Sequence, residues 1–111
     1  MFVDTDVKTL DLSSIFKFYR RKEVWILYFF NPKLQKCQDF KEEYVKLAEK
    51  MYGIINVGAI DCQSEEELCE EFGMYDIPMI VIFTESFSED GEKYTGNQDW
   101  SSIANAAAKK M

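Results

Sequence analysis

Three largely apolar runs and three amphipathic stretches alternate along this chain, separated by turn-forming residues. Residues 24–30, VWILYFF, are continuously apolar and aromatic, the pattern of a central strand buried on both faces. Asn31-Pro32 breaks the run, with Asn31 suited to cap a helix and Pro32 to open it. Cys37, Phe40, Tyr44, Leu47, Ala48 and Met51 then recur at three- and four-residue spacing, which predicts a helix with one apolar face. Its other face is charged, with Glu42 and Lys46 as one favourable pair, and Gly53 ends it.

Residues 54–60 read as a second buried strand. Ser64-Glu65-Glu66-Glu67 has the form of a capping box, opening a short helix that runs to Phe72 and stops at Gly73. Residues 77–83 form the third apolar run, with Pro78 near its beginning, where a strand tolerates proline. Asp90-Gly91 marks a turn, residues 92–95 a short edge strand, and Asp99 or Ser101 the start of an Ala-rich helix to Lys109. Upstream, residues 2–10 fit a first strand and 13–21 a first helix. The resulting order, β-α-β-α-β-α-β-β-α, predicts one α/β domain whose sheet is covered on both faces.

Composition narrows the chemistry. The chain has 111 residues, a net charge of −7 and thirteen basic residues without a basic stripe, which argues against a nucleic-acid partner. It has no histidine, and its carboxylates and three cysteines show neither an EF-hand nor paired C-x-x-C spacing, so no metal site or cofactor is expected. The longest apolar run is too short to span a bilayer. Met1-Phe2-Val3-Asp4 lacks the features of a signal peptide, and residues 106–111 carry no retention tetrapeptide. A secretory setting therefore implies that residues 1–111 are a single domain excised from a longer chain.

The order of several features resembles a known family. Trp25, Phe29-Phe30-x-Pro32, a cysteine five residues after that proline, Gly58-Ala59-x-Asp61, Phe72-Gly73-Met74, Ile77-Pro78, Phe83 and Tyr94-x-Gly96 look like a thioredoxin-fold domain. The nearest likeness is to the catalytic-type domains of the protein disulfide isomerase family. The resemblance implies a mixed five-stranded sheet flanked by four helices, and a cis peptide at Ile77–Pro78 where base rates alone favour trans.

That family's chemistry uses C-x-x-C at the start of the second helix, an exposed nucleophile followed one turn later by a buried resolving thiol. In this sequence the motif falls on Leu34-Gln35-Lys36-Cys37, so Leu34 stands in the nucleophile's place and Cys37 in the resolving place. Lys33 replaces the usual tryptophan, and Tyr28 stands where members carry a buried carboxylate that relays a proton. The resemblance thus implies a degenerate site with no catalytic residue and no dithiol–disulfide activity.

Two readings of Cys37 stand at this level. It is either an inert thiol on the apolar helix face, or one activated by the helix N-terminus with Lys33 or Lys36. Cys62 and Cys69 resemble a pair that some disulfide isomerase domains join as a structural disulfide, and a strand end and the following helix can bring such residues within bridging distance. The other reading is two free buried thiols in a reducing cytosol. The family resemblance also implies that Leu34, Tyr75, Ile77 and Pro78, flanked by Met74 and Met79, bind an extended peptide by strand addition; the plainer alternative is core packing.

Together these features predict a redox-inactive thioredoxin-like domain of a disulfide-isomerase-like or chaperone-associated protein of the endoplasmic reticulum. It would bind unfolded polypeptide or a partner protein, or space active domains. Two alternatives are single-cysteine thiol exchange or redox sensing through Cys37, and a cytosolic thioredoxin-like scaffold.

Overall fold

A computed structural model of the chain describes residues 1–2, 4–11, 14, 24–74, 76–84 and 91–110. Five strands, β1 (Lys8–Thr9), β2 (Trp25–Phe30), β3 (Asn56–Asp61), β4 (Met79–Phe83) and β5 (Glu92–Lys93), form one sheet in the order β1-β3-β2-β4-β5. β2 runs parallel to β3, pairing Tyr28 with Ala59 and Phe30 with Asp61. It runs antiparallel to β4, pairing Tyr28 with Ile80 and Phe29 with Met79. β1 is parallel to β3, and β5 is antiparallel to β4. This is the thioredoxin fold with a mixed five-stranded sheet, and three helices are described: α1 (Gln35–Met51), α2 (Glu66–Glu71) and α3 (Trp100–Ala108).

The expected helix at 13–21 lies outside the described residues except for Ser14. Ser14 and Asp11 bond reciprocally: the Ser14 N–H donates to Asp11 Oδ1 at 2.8 Å and the Asp11 N–H to Ser14 Oγ at 2.9 Å. The predicted turn at 90–91 and most of the loop before it also fall outside, although Gly91 itself is described.

Alternation along β2 sorts the core into two clusters, one on each face of the sheet. Ile26, Tyr28 and Phe30 pack with Cys37, Phe40, Tyr44, Leu47 and Ala48 of α1 and with Ile103, Ala104 and Ala107 of α3. Trp25, Leu27 and Phe29 pack on the other face with Ile60, Val81, Phe83 and the α2 residues Leu68 and Cys69. Every β2 residue is buried, as expected of a strand covered on both faces. Gly58 fits that packing closely: a Cβ there would lie 3.0 Å from Leu27 Cδ2 and 3.1 Å from Trp25 Cζ3, so those side chains would have to give way.

Several boundaries differ from expectation for local reasons. Helix α1 begins at Gln35, because Asn31 Oδ1 accepts the Lys33 N–H at 2.9 Å and holds residues 31–33 in an Asx turn. Leu34 is the N-cap, and no side chain caps that end. Ser64 does not cap α2 either: its hydroxyl turns back to the Asp61 carbonyl at 3.5 Å, and Glu65 takes the N-cap position. Gly53 adopts φ +80°, and the Ile54 and Ile55 N–H groups bond the Met51 carbonyl at 2.9 and 3.0 Å, so β3 starts only at Asn56. Of the described residues among 2–10, only Lys8 and Thr9 form a strand, and β5 stops at Lys93. Asp99 caps α3, accepting from the Ser102 N–H at 3.2 Å. Among the described residues no helix is long and apolar enough to cross a membrane.

Candidate functional site

The C-terminal ends of β2 and β3 and the start of β4 converge on one end of the sheet. The Phe29–Met79 pair sets Ile77 and Pro78 beside the end of β2, from which residues 31–34 lead into α1. The Ile77–Pro78 peptide is cis. The Cys62 N–H donates to the Phe30 carbonyl at 2.8 Å, so the same end also carries the beginning of the connection to α2.

Leu34 is the exposed large apolar residue of this group, with 37% of its surface accessible. Its carbonyl accepts the N–H groups of Cys37 at 3.1 Å and Gln38 at 3.2 Å, which fixes the first turn of α1. Gln38 Nε2 ties that turn back to the Pro32 carbonyl at 3.1 Å. Cys37, three residues on, faces inward and is completely buried, and its thiol is free. At the helix start Leu34 is thus exposed while Cys37, one turn on, is sealed inside.

Beneath Cys37 lies Tyr28, 1% exposed. Burial pushes the Tyr28 phenol far above its ordinary pKa, and the neighbouring Cys37 thiol pushes it further. Although close to that thiol, the hydroxyl makes no hydrogen bond of regular geometry. Tyr44, whose ring centroid is 4.9 Å away, differs: its hydroxyl reaches the Gly58 carbonyl at 2.6 Å and the Ile26 carbonyl at 3.2 Å. It too is held well above its ordinary pKa, chiefly by burial. Both phenols therefore stay protonated across the physiological range.

Ile77, Met74 and Met79 are half-buried and lean on the cluster around Trp25, leaving part of each side chain at the surface; Pro78 is half-buried beside them. Tyr75 lies outside the described residues. Cys62 and Cys69 are joined as a disulfide, with Cα atoms 5.7 Å apart. Cys37 belongs to the cluster on one face of the sheet and Cys69 to the cluster on the other, so the sheet separates the free thiol from the bridge.

Sequence reasoning singled out neither Phe2 nor Glu43. Phe2 is 2% exposed within the cluster around Tyr28, and its only signal was an isolated aromatic residue ahead of β1. Glu43 Oε2 accepts the Trp100 N–H at 2.9 Å, linking α1 to the start of α3. That pairing spans 57 residues and leaves no local trace.

A sheet of this order, a cis-proline at its end and a central helix starting beside it define an α/β domain of the thioredoxin class. The chain belongs to the thioredoxin family, whose family description, "Thioredoxin", matches residues 7–109. It is similar to the Protein disulfide-isomerase A6 homolog of Drosophila melanogaster, with 31% identity over 79% of this chain and 20% of that protein. It also resembles the DnaJ homolog subfamily C member 10 of Xenopus laevis, with 26% identity over 94% of this chain and 13% of that protein. The chain therefore spans about a fifth or less of these relatives' lengths. Among solved structures it superposes on the crystal structure of ERdj5 form I with a TM-score of 0.84 and 26% identity, over 96% of this chain and 15% of that one.

Proposed function

We propose that residues 1–111 are one redox-inactive thioredoxin-like domain of a longer disulfide-isomerase-like or chaperone-associated polypeptide, and that the domain binds extended polypeptide rather than exchanging disulfides. The observation that carries this reading is the pair at the start of α1. Leu34 offers an exposed apolar side chain where the family's attacking thiol belongs, and Cys37 is sealed inside. The remaining cysteines, Cys62 and Cys69, are already bonded to each other, so no dithiol is available. Tyr28 in place of a carboxylate removes the proton acceptor as well.

In this reading Leu34, Tyr75, Ile77 and Pro78 receive the peptide, with the Ile77 backbone pairing to it as a short added strand. Met74 and Met79 supply adaptable apolar contacts. The bridge favours an oxidising compartment such as the endoplasmic reticulum lumen over a cytosolic scaffold. Relatives named as a disulfide-isomerase homolog and a DnaJ homolog support the same setting.

Insulin reduction by dithiothreitol tests the redox half: the domain should leave the rate at background. A clear acceleration that Cys37→Ser abolishes would instead establish single-cysteine exchange. Titration of the ¹⁵N-labelled domain with an extended apolar peptide tests the binding half, with shifts expected at Leu34, Ile77 and Met79. Shifts confined to the opposite end of the sheet would remove the assignment.

A further inference from the structure

Helix α2 ends in a way that reaches the residues proposed to receive peptide. Phe72 is its C-cap, and Gly73 follows at φ +68°. The Gly73 N–H donates to the Glu70 carbonyl at 2.9 Å, and the Met74 N–H reaches back to the Cys69 carbonyl at 2.9 Å. This pair of bonds is a Schellman closure, which sets the residue two past the cap against the helix it ends. Met74 is therefore fastened by its backbone to Cys69, the residue that the bridge joins to Cys62. Its side chain is half-buried on the cluster that Ile77 and Met79 also lean on.

The intrinsic preferences of α2 do not hold Met74 there. Four of the six residues in α2 are glutamates. Glu66 and Glu70, and likewise Glu67 and Glu71, stand at the i,i+4 spacing where like charges repel. Glu70 and Glu71 also oppose the helix dipole in the last turn, and no side chain caps the N-terminus. The helix is fixed instead by tertiary anchors. Leu68 and Cys69 are buried, and the Phe72 ring lies 5.4 Å from Phe29 and 5.9 Å from Phe83. The bridge then ties Cys69 to the residue following β3. Gly73 completes the arrangement through its backbone alone. A Cβ there would meet nothing within 4 Å, so a larger residue faces only the penalty of positive φ.

Resting on the polypeptide-binding reading above, we propose that the closure of α2, set by Gly73 and anchored by the Cys62–Cys69 bridge, positions Met74 to read a large apolar side chain of the bound peptide. The flexible, polarizable thioether of methionine suits an aromatic side chain at that contact. Gly73 is then a positioning residue that acts through Met74.

The test is NMR titration of the domain with an extended peptide carrying a central phenylalanine, and with the same peptide carrying alanine there. Each variant's urea midpoint is measured alongside. The parent should prefer the phenylalanine peptide, and Met74→Ala should weaken its binding by about fivefold and remove most of the preference. Gly73→Ala should weaken it by a similar factor, and Gly73→Asn, which takes positive φ more readily, should recover most of the loss. A merely structural role for Gly73 would lower the urea midpoint of Gly73→Ala and leave the folded domain's affinity unchanged. That result overturns the proposal, as does a Met74→Ala domain that keeps the preference. Hydrogen exchange at the Met74 amide reads the closure without peptide. It should speed by about tenfold in Gly73→Ala, and in the domain with both Cys62→Ser and Cys69→Ser, while β2 amides stay protected. Unchanged exchange in either variant refutes that part of the closure. A parent that binds neither peptide removes the polypeptide-binding reading itself, and the role of Met74 with it. A parent that binds while Gly73→Ala binds equally well refutes the positioning alone.

Discussion

The two faces of the sheet are built by different means. On one, the seventeen-residue helix α1 buries Cys37, Phe40, Tyr44, Leu47 and Ala48 against β2, and α3 adds three more buried residues. On the other, the six-residue helix α2 buries only Leu68 and Cys69. A helix that short is unstable by itself and offers little apolar area to hold it in place. The Cys62–Cys69 bridge adds a covalent attachment to the packing of Leu68, Cys69 and the C-cap residue Phe72. The same residue type therefore serves differently on the two faces: Cys37 is packed and unbonded, while Cys69 is packed and also bonded.

The largest effect should come from breaking the covalent side. Replacing Cys62 and Cys69 together by Ser should cost about 2–3 kcal/mol, seen as a lower urea midpoint and a lower Tm. Cys37→Ala should cost only about 1 kcal/mol, as a small buried side chain lost from a packed cluster. Equal losses would mean that α2 is held by packing after all. Next comes Tyr44→Phe, which removes the hydroxyl bonded to the Gly58 carbonyl and should cost about 1 kcal/mol in urea melts. Tyr28→Phe removes a hydroxyl that makes no regular bond, so stability should hold or rise by up to about 1 kcal/mol. A loss like that of Tyr44→Phe would reveal a productive Tyr28–Cys37 bond.

Much of the fold was legible because its strands are continuous apolar runs and α1 has a clear apolar stripe. Leu34 and Cys37 were legible too, since their spacing from Pro32 places them at the start of a helix. Helix starts were less so: Asn31 and Ser64 are good capping residues, yet both spend their side chains on local turns instead. Ile54 extends an apolar run but is 61% exposed, because the turn at Gly53 ejects it from the sheet. The difference between Tyr28 and Tyr44 is invisible in sequence. It depends on which strand carbonyl each hydroxyl meets once β2 and β3 pair. Phe2 is hidden for the same reason, being one ring whose described ring contacts, Tyr28, Phe30 and Tyr44, lie at least 26 residues away.

The smallest effect sharpens the contrast from the packed side. There α3 begins with Asp99, whose carboxylate accepts the Ser101 hydroxyl at 2.7 Å and the Ser102 N–H at 3.2 Å. These bonds, the Ser101 hydroxyl first, hold the Asp99 pKa below its ordinary value. In the unfolded chain the group returns toward about 3.9, so over the acid range the unfolded state binds more protons. The stabilisation is therefore complete above the unfolded value and is lost as pH falls through the lower folded one. Asp99→Asn keeps a capping oxygen but cannot titrate, so it should match the parent closely near neutrality and flatten the acid limb. Tm measured from about pH 2 to about pH 5 checks this, because the parent's Tm should drop more steeply than the variant's. The bridge carries no such proton dependence, so reduction should weaken the α2 face equally at every pH in that range. An unchanged acid slope in Asp99→Asn would mean that the start of α3 is held by the Trp100–Glu43 bond alone.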